Sequence, residues 1–291
     1  MKFVKMQGCG NDYIYVDGAK ETVENKPEVV RRLSDRHFGI GGDGVIFINP
    51  SAQADFEMEM YNADGSRSEM CGNGIRCVAK YVYDYGLTDK NPVRIESGGK
   101  VKTLYLHLKD GKVDTVTVNM GEPVFTPAEV PVDLKGFDVE PDADSTQIVA
   151  CPICLQLPGG SREVRNVTCV SMGNPHAVTY VEDVEQLDME KIGALCEHHK
   201  AFPKAVNTEF IQVLDESHIR MRVWERGSGE TLACGTGAYA SVVAGVLNGK
   251  NGRKATVHLL GGDLEIEWKE EDNCVYMTGP ARIVFAGEVV L

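Results

Sequence analysis

The chain has 291 residues, 43% of them hydrophobic, a length that suggests about two domains of roughly 150 residues each with ample material for two cores. Its net charge of −13, with no basic cluster, argues against nucleic acid and anionic membranes as partners, because phosphate binding draws on Lys and Arg. No run of 18 apolar residues and no signal-like core follows Met1, so a cytoplasmic protein is expected, with most of its nine scattered cysteines reduced.

In chain order, Phe3 to Asp17 reads as two short strands interrupted by the loop Gln7-Gly8-Cys9-Gly10-Asn11-Asp12, whose amides either shape the turn or face a ligand. Pro27 to His37 fits an amphipathic helix with Val29, Val30 and Leu33 inward. The glycines of Gly39-Ile40-Gly41-Gly42-Asp43-Gly44 precede the strand Val45 to Ile48 but lack the order and strand-to-helix context of a dinucleotide fingerprint. Asp55 to Asn62 is a strand entering Met70-Cys71-Gly72-Asn73-Gly74, and Ile75 to Tyr83 is a helix candidate. Alternation between Val93 and Val118 predicts further strands on short turns, which favours antiparallel sheet.

Residues about 124 to 163 are rich in Pro, Asp and Glu, show no clear period, and read as the connection between halves. Cys151 and Cys154 in this segment form a C-x-x-C pair. A redox role would need a helix N-terminus and a zinc role two more ligands; neither is evident, and no metal site is expected. Incidental loop thiols remain the plainer reading. Asn174-Pro175-His176 then leads into a strand to Val181, and His176 is either a packed residue or a catalyst. Leu187 to His199 should be a surface helix, Phe210 to Leu214 and His218 to Glu225 strands. The turn Glu225-Arg226-Gly227-Ser228-Gly229 carries either a surface ion pair or a site acid and guanidinium. Ala233-Cys234-Gly235-Thr236-Gly237 opens the uncharged run Ala238 to Leu247, which reads as a buried helix with Cys234 at its N-terminus. Backbone N–H groups and the dipole there are expected to lower the thiol's pKa.

Cys71 and Cys234 are 163 residues apart, and the same offset takes Phe56, Met58, Met60, Tyr61 and Asn62 onto Ile219, Met221, Val223, Trp224 and Glu225. It also takes Asn11 onto Asn174 and Gly44 onto Asn207. One gapless register across four segments implies an internal duplication. The fold class expected is α/β of the α+β type: two pseudosymmetric domains, each a mostly antiparallel sheet wrapped around a central helix. Two thiols at corresponding helix starts suit an acid and a base on opposite faces of one carbon, the arrangement that inverts a stereocentre, with flanking N–H groups able to bind a substrate carboxylate.

The motifs Asn11-Asp12, Asn62-Ala63-Asp64-Gly65, Met70 to Cys77, Met172 to His176 and Glu225 to Gly237 resemble those of the diaminopimelate epimerase family over the whole chain. The resemblance implies cofactor-independent, pyridoxal-free interconversion of LL- and meso-diaminopimelate in lysine and peptidoglycan precursor synthesis. It implies Cys71 and Cys234 as acid and base, and backbone at Gly72, Asn73, Gly235 and Thr236 for the carboxylate of the reacting centre. Asn11, Asn62, Asn174, Asn207 and Arg226 would hold the distal group, with His176 and Glu225 near the reacting amine. It further implies domains at 1–120 with 278–291 and at 121–277, the last strand returning to the first domain, and a homodimer. Some members carry Gln where Gly44 stands, and the acidic segment from about 138 to 163 has no functional reading. A racemase of the same fold acting on a different amino acid, such as proline or histidine, would use the same thiols but not the polar residues for a second head group. A phenazine-type isomerase would lack the thiols. A thiol redox or zinc module belongs to another class, separable by thiol titration and metal analysis.

Overall fold

A computed structural model of the chain describes residues 1–142 and 144–291. The chain forms two compact units, Met1–Asn119 together with Thr278–Leu291, and Met120–Met277.

In the first unit, β1 (Lys2–Gly8) pairs antiparallel with β2 (Asn11–Asp17) and with the C-terminal strand Arg282–Glu288. Helix α1 (Lys26–Ser34) then carries the chain back, so β3 (Gly44–Asn49) lies parallel to β2. β4 (Phe56–Asn62) returns antiparallel to β3, and the short β5 (Arg67–Ser68) folds back on β4. After helix α2 (Gly72–Asp84), β6 (Val93–Ser97) again pairs in parallel, this time with β4. β7 (Lys100–Lys109) and β8 (Lys112–Gly121) complete an antiparallel meander. The two parallel pairings thus fall where a helix crosses over, and every tight connection gives an antiparallel one. Ile75, Cys77, Val78, Ala79 and Val82 of α2 are inaccessible to solvent, packed against β1, β2, β6 and β7.

The second unit repeats this order. β9 (Cys151–Gln156), β10 (Arg162–Ser171) and β11 (Pro175–Tyr180) are antiparallel neighbours; α3 (Met189–Glu197) leads to β12 (Asn207–Asp215), parallel to β11. β13 (His218–Glu225) and β14 (Gly229–Glu230) precede helix α4 (Gly235–Leu247), and β15 (Lys254–Leu259) lies parallel to β13 before β16 (Gly262–Trp268) and β17 (Val275–Pro280). Adding 163 to the bounds of α1 and α2 gives those of α3 and α4 residue for residue. α4 is uncharged because it is buried from Gly237 to Gly245. The mixed α/β class, mostly antiparallel sheet around a central helix, is therefore the one expected.

Three local expectations change. The connection over 124–163, of which position 143 lies outside the described residues, contains the strand β9 and a 3₁₀ turn at Leu134–Gly136. Val130, Phe137, Ile148, Ile153 and Leu155 join the core of the second unit beside Met189, Ile192 and Phe210. The alternation of Ile153 and Leu155 is short and flanked by Pro152, which hid it. Cys151 and Cys154 lie three apart on a strand and so point to opposite faces, which removes them as a redox or chelating pair. His199 is buried past the end of α3 rather than on a helix surface, because the chain turns inward there and sets its ring beside that of Phe202, tilted by 60°. Among the described residues no helix is long and apolar enough to cross a membrane.

Candidate active site

Cys71 is the N-cap of α2, with an extended backbone (φ −140°, ψ 114°), and its Sγ accepts the N–H of Gly74 at 3.3 Å. A Cβ at Gly74 would come within 2.8 Å of Ile46 Cδ1, so that buried methyl would have to shift to admit a side chain. The Cys71 thiol donates to Oδ1 of Asn11 at 3.1 Å, and Nδ2 of Asn11 donates to Asp43 at 2.6 Å. Asp43 in turn accepts the N–H of Asp12 and pairs with Arg36 at 2.9 Å. Asn73 is buried, and its Oδ1 accepts from Nη2 of Arg76 at 2.8 Å. Arg76 is wholly inaccessible and also donates to the carbonyls of Gly72 and Pro280, so it fixes the turn that carries the thiol. Asn62 ends β4 opposite Gly44, with Nδ2 on Ser66 Oγ at 3.1 Å. No side chain can stand at 44: a Cβ would lie 1.9 Å from the carbonyl oxygen of Tyr61. The polar group at this corner is instead Asp43.

In the second unit Cys234 is the N-cap of α4 (φ −113°, ψ 107°) and only 4% exposed. Its Sγ makes no cap hydrogen bond and lies 3.5 Å from Oγ1 of Thr236. That hydroxyl accepts from Nδ2 of Asn174 at 3.2 Å; Oδ1 of Asn174 meets Nε2 of His176 at 3.0 Å; Nδ1 of His176 meets Oε1 of Glu209 at 2.7 Å. His176 and Glu209 are fully buried. Asn207 bridges two loops, donating to the carbonyl of Pro175 at 3.1 Å and accepting the N–H of Arg226 at 2.9 Å. The carboxylate of Glu225 accepts from Thr231. Glu197 grips the same turn from α3, accepting the indole N–H of Trp224 at 2.8 Å and the N–H of Gly227 at 2.9 Å. Gly235 sits close to the hydroxyl of Tyr239.

The first unit therefore gathers Asn11, Cys71, Gly72 and Asn73, with Asn62 at the end of β4, and the second gathers Asn174, His176, Cys234, Gly235 and Thr236, with Asn207, Glu225 and Arg226 around one turn. Sequence reasoning missed Arg76, Glu197 and Glu209. For Glu209 a signal existed: it shares the inward face of β12 with Asn207 and Ile211, where an unpartnered acid would be costly.

The expected lowering of the thiol pKa does not hold in the free protein. Burial pushes the Cys71 thiol up, outweighing the N–H groups of Gly74 and Asn73 and the charge of Arg76. Burial pushes Cys234 well above an ordinary thiol, reinforced by the carboxylates of Glu225 and Glu209 and opposed by Thr236 and the N–H of Gly237. A helix terminus supplies partial charge, whereas desolvation removes the full hydration of the thiolate. Since a raised pKa keeps the thiol protonated at neutral pH, alkylation of Cys71 by iodoacetamide should climb with pH past the midpoint of an ordinary thiol. A midpoint below that of free cysteine, read by peptide mass spectrometry, would contradict this ordering.

A family model described as diaminopimelate epimerase matches residues 3–126 and 168–284. A diaminopimelate epimerase of Acetivibrio thermocellus is 56% identical over 293 aligned positions, covering 100% of this chain and 99% of the relative. Among solved structures, a PhzF-family phenazine biosynthesis protein of Bacillus anthracis superposes with TM-score 0.67 at 14% identity, covering 100% of this chain and 99% of its own. A probable proline racemase of Agrobacterium radiobacter superposes equally well, TM-score 0.67 at 14% identity, with 100% and 93% covered. These two likenesses are of fold alone. The family match over most of the chain and the end-to-end identity of more than half place the chain in the diaminopimelate epimerase family, and it is an isomerase.

Proposed function

We propose that the chain interconverts LL- and meso-2,6-diaminopimelate without a cofactor, Cys71 and Cys234 being the two proton carriers. The observation that carries this reading is the repeated placement of a thiol as N-cap of the central helix in each unit. Inversion at an α-carbon needs a base on one face and an acid on the other, and a thiol holds one proton, so two are required. In the reading, one thiolate takes the α-proton and the other thiol returns one to the opposite face. The first-turn N–H groups at Gly72, Asn73, Gly235 and Thr236 bind the carboxylate and spread the charge of the carbanion. The raised thiol pKa values of the free protein suit this chemistry, because a substrate ammonium beside a buried thiolate supplies the missing opposite charge. His176 and Glu225 are assigned to that amine.

The distal amino-acid group falls to Asn11, Asn62, Asn174, Asn207 and Arg226. Asn11, Asn174 and Asn207 already bond to protein at both ends of the amide, so they contribute through a remaining N–H or lone pair, while Asn62 and Arg226 are freer. The test is turnover of pure LL-diaminopimelate in D2O with no added cofactor. Early product is expected to carry deuterium at the α-carbon while recovered substrate stays nearly unlabelled, since the donating thiol has exchanged with solvent and the abstracting one returns the substrate's own hydrogen. Equal early labelling of both pools, or original hydrogen carried into product, would exclude two monoprotic carriers.

The same reading places the protein in lysine and peptidoglycan precursor synthesis and in the cytoplasm, where free thiols persist. It includes two domains, 1–120 with 278–291 and 121–277, each supplying one thiol. A homodimer completes it, supported by the C-terminal strand, on which Ile283, Val284 and Phe285 are 40%, 56% and 45% exposed. Sedimentation should show a dimer for the parent and a monomer for Val284→Asp; a monomeric parent would remove the assembly from the reading.

A further inference from the structure

The two thiols have unlike surroundings despite the repeat. In the first unit Asn11 touches Cys71 directly. In the second, Asn174 reaches Cys234 only through Thr236, and behind Asn174 stand His176 and Glu209. The residues 163 positions before His176 and Glu209 are Tyr13 and Ile46, so the first unit sets a phenol beside Asn11 but, among the described residues, has no buried carboxylate behind it.

Both ring nitrogens of His176 face acceptor atoms, Oε1 of Glu209 and Oδ1 of Asn174, with the Asn174 amide oriented by donation of Nδ2 to Thr236. A neutral imidazole beside an ionised carboxylate has one N–H for these two acceptors, and one contact becomes lone pair against lone pair. One further proton shared by Glu209 and His176 satisfies both. Burial favours that state: the pair is wholly inaccessible, and Oε2 of Glu209 has no hydrogen-bond partner among the described residues, which penalises a free carboxylate there. Burial accordingly pushes the Glu209 carboxyl up, against the lowering influence of His176.

We propose that Glu209 is a positioning residue for the Cys234 side of the reaction: sharing a proton with His176, it keeps Nε2 a donor, which holds Nδ2 of Asn174 toward Thr236 and leaves the Thr236 hydroxyl hydrogen for Sγ of Cys234. The Cys234 thiolate then has the Thr236 hydroxyl as donor, while the carboxylates of Glu225 and Glu209 act against the thiolate. Without the shared proton the imidazole loses its Nε2 hydrogen, the amide reverses, and the hydroxyl donates to Oδ1 of Asn174 instead. The proposal deepens the two-thiol reading and rests on it for the meaning of Cys234.

The test combines two substrate-free measurements with kinetics. In the parent labelled with 15N-histidine, the His176 spectrum should show a hydrogen on Nε2; an Nε2 lone pair overturns the proposal and needs no variant. In Glu209→Leu nothing fixes the tautomer, so the 15N spectrum of His176 should change from a single Nε2-protonated form to a mixture with the Nδ1-protonated one. kcat for diaminopimelate should fall about tenfold with KM within about threefold. Glu209→Gln, whose amide can donate to Nδ1, should stay near the parent in both. A folded Glu209→Leu with parental histidine spectrum and kcat overturns the proposal, as does Glu209→Gln behaving like Glu209→Leu; if Glu209→Leu does not fold, the histidine spectrum of the parent decides. Failure of the parent to epimerise diaminopimelate would remove the substrate assignment and leave both resonance measurements standing.

Discussion

Cys71→Ala and Cys234→Ala are each expected to lose epimerisation while remaining folded. Removing a general acid or base costs roughly 10²–10⁴-fold, and here the loss should sit at the upper end because no second ionisable proton carrier touches either Sγ among the described residues. The structural cost is smaller. Cys71→Ala deletes one N-cap acceptor, worth about 0.5–2 kcal/mol, and Cys234 makes no cap hydrogen bond to lose. Circular dichroism and thermal melts should therefore show both variants folded. Cys151→Ala, half-exposed on a strand of the second unit, should keep parental turnover. Substantial turnover by either of the first two variants would sink the assignment of two proton carriers.

Arg226→Lys is the second large effect. The guanidinium donates to the carbonyl of Lys204 at 3.2 Å, and among the described residues no carboxylate lies within ion-pair distance of it. Arg222 on the neighbouring strand contrasts with it, being committed to Glu230 at 2.6 Å. The backbone of Arg226 is held by Asn207, and the following Gly227 by Glu197, so the turn presents an unpaired planar cation on a fixed base. Such a cation suits bidentate capture of a distal carboxylate, which a lysine ammonium cannot reproduce. Loss of a charge-assisted pair is worth about 1.5–3 kcal/mol, and kcat/KM for diaminopimelate should fall by roughly 10–100-fold. Part of the loss should appear in kcat, since remote binding orients the reacting centre. A Lys variant matching the parent in kcat/KM would mean that Arg226 does not hold the distal group.

The duplication could be read from the residues because its landmarks are local. A thiol followed by glycines marks a helix start, and alternation marks the strand that enters it, so the offset of 163 was visible at Cys71 and Cys234 before any pairing was known. The mostly antiparallel class followed from the short turns, and the candidate site from the polar residues clustered around both thiols. What the tertiary structure decided was whatever depends on partners distant in sequence. Glu209 meets His176 only because β11 and β12 pair in parallel, and Arg76 holds the thiol turn only because a carbonyl from the C-terminal segment reaches it. Gly44 cannot be replaced because the Tyr61 carbonyl stands where a side chain would begin. The thiols are the sharpest case: their helix N-termini, which favour the thiolate, are legible from spacing, but the desolvation that overrides them comes from surrounding strands that only the folded chain brings together.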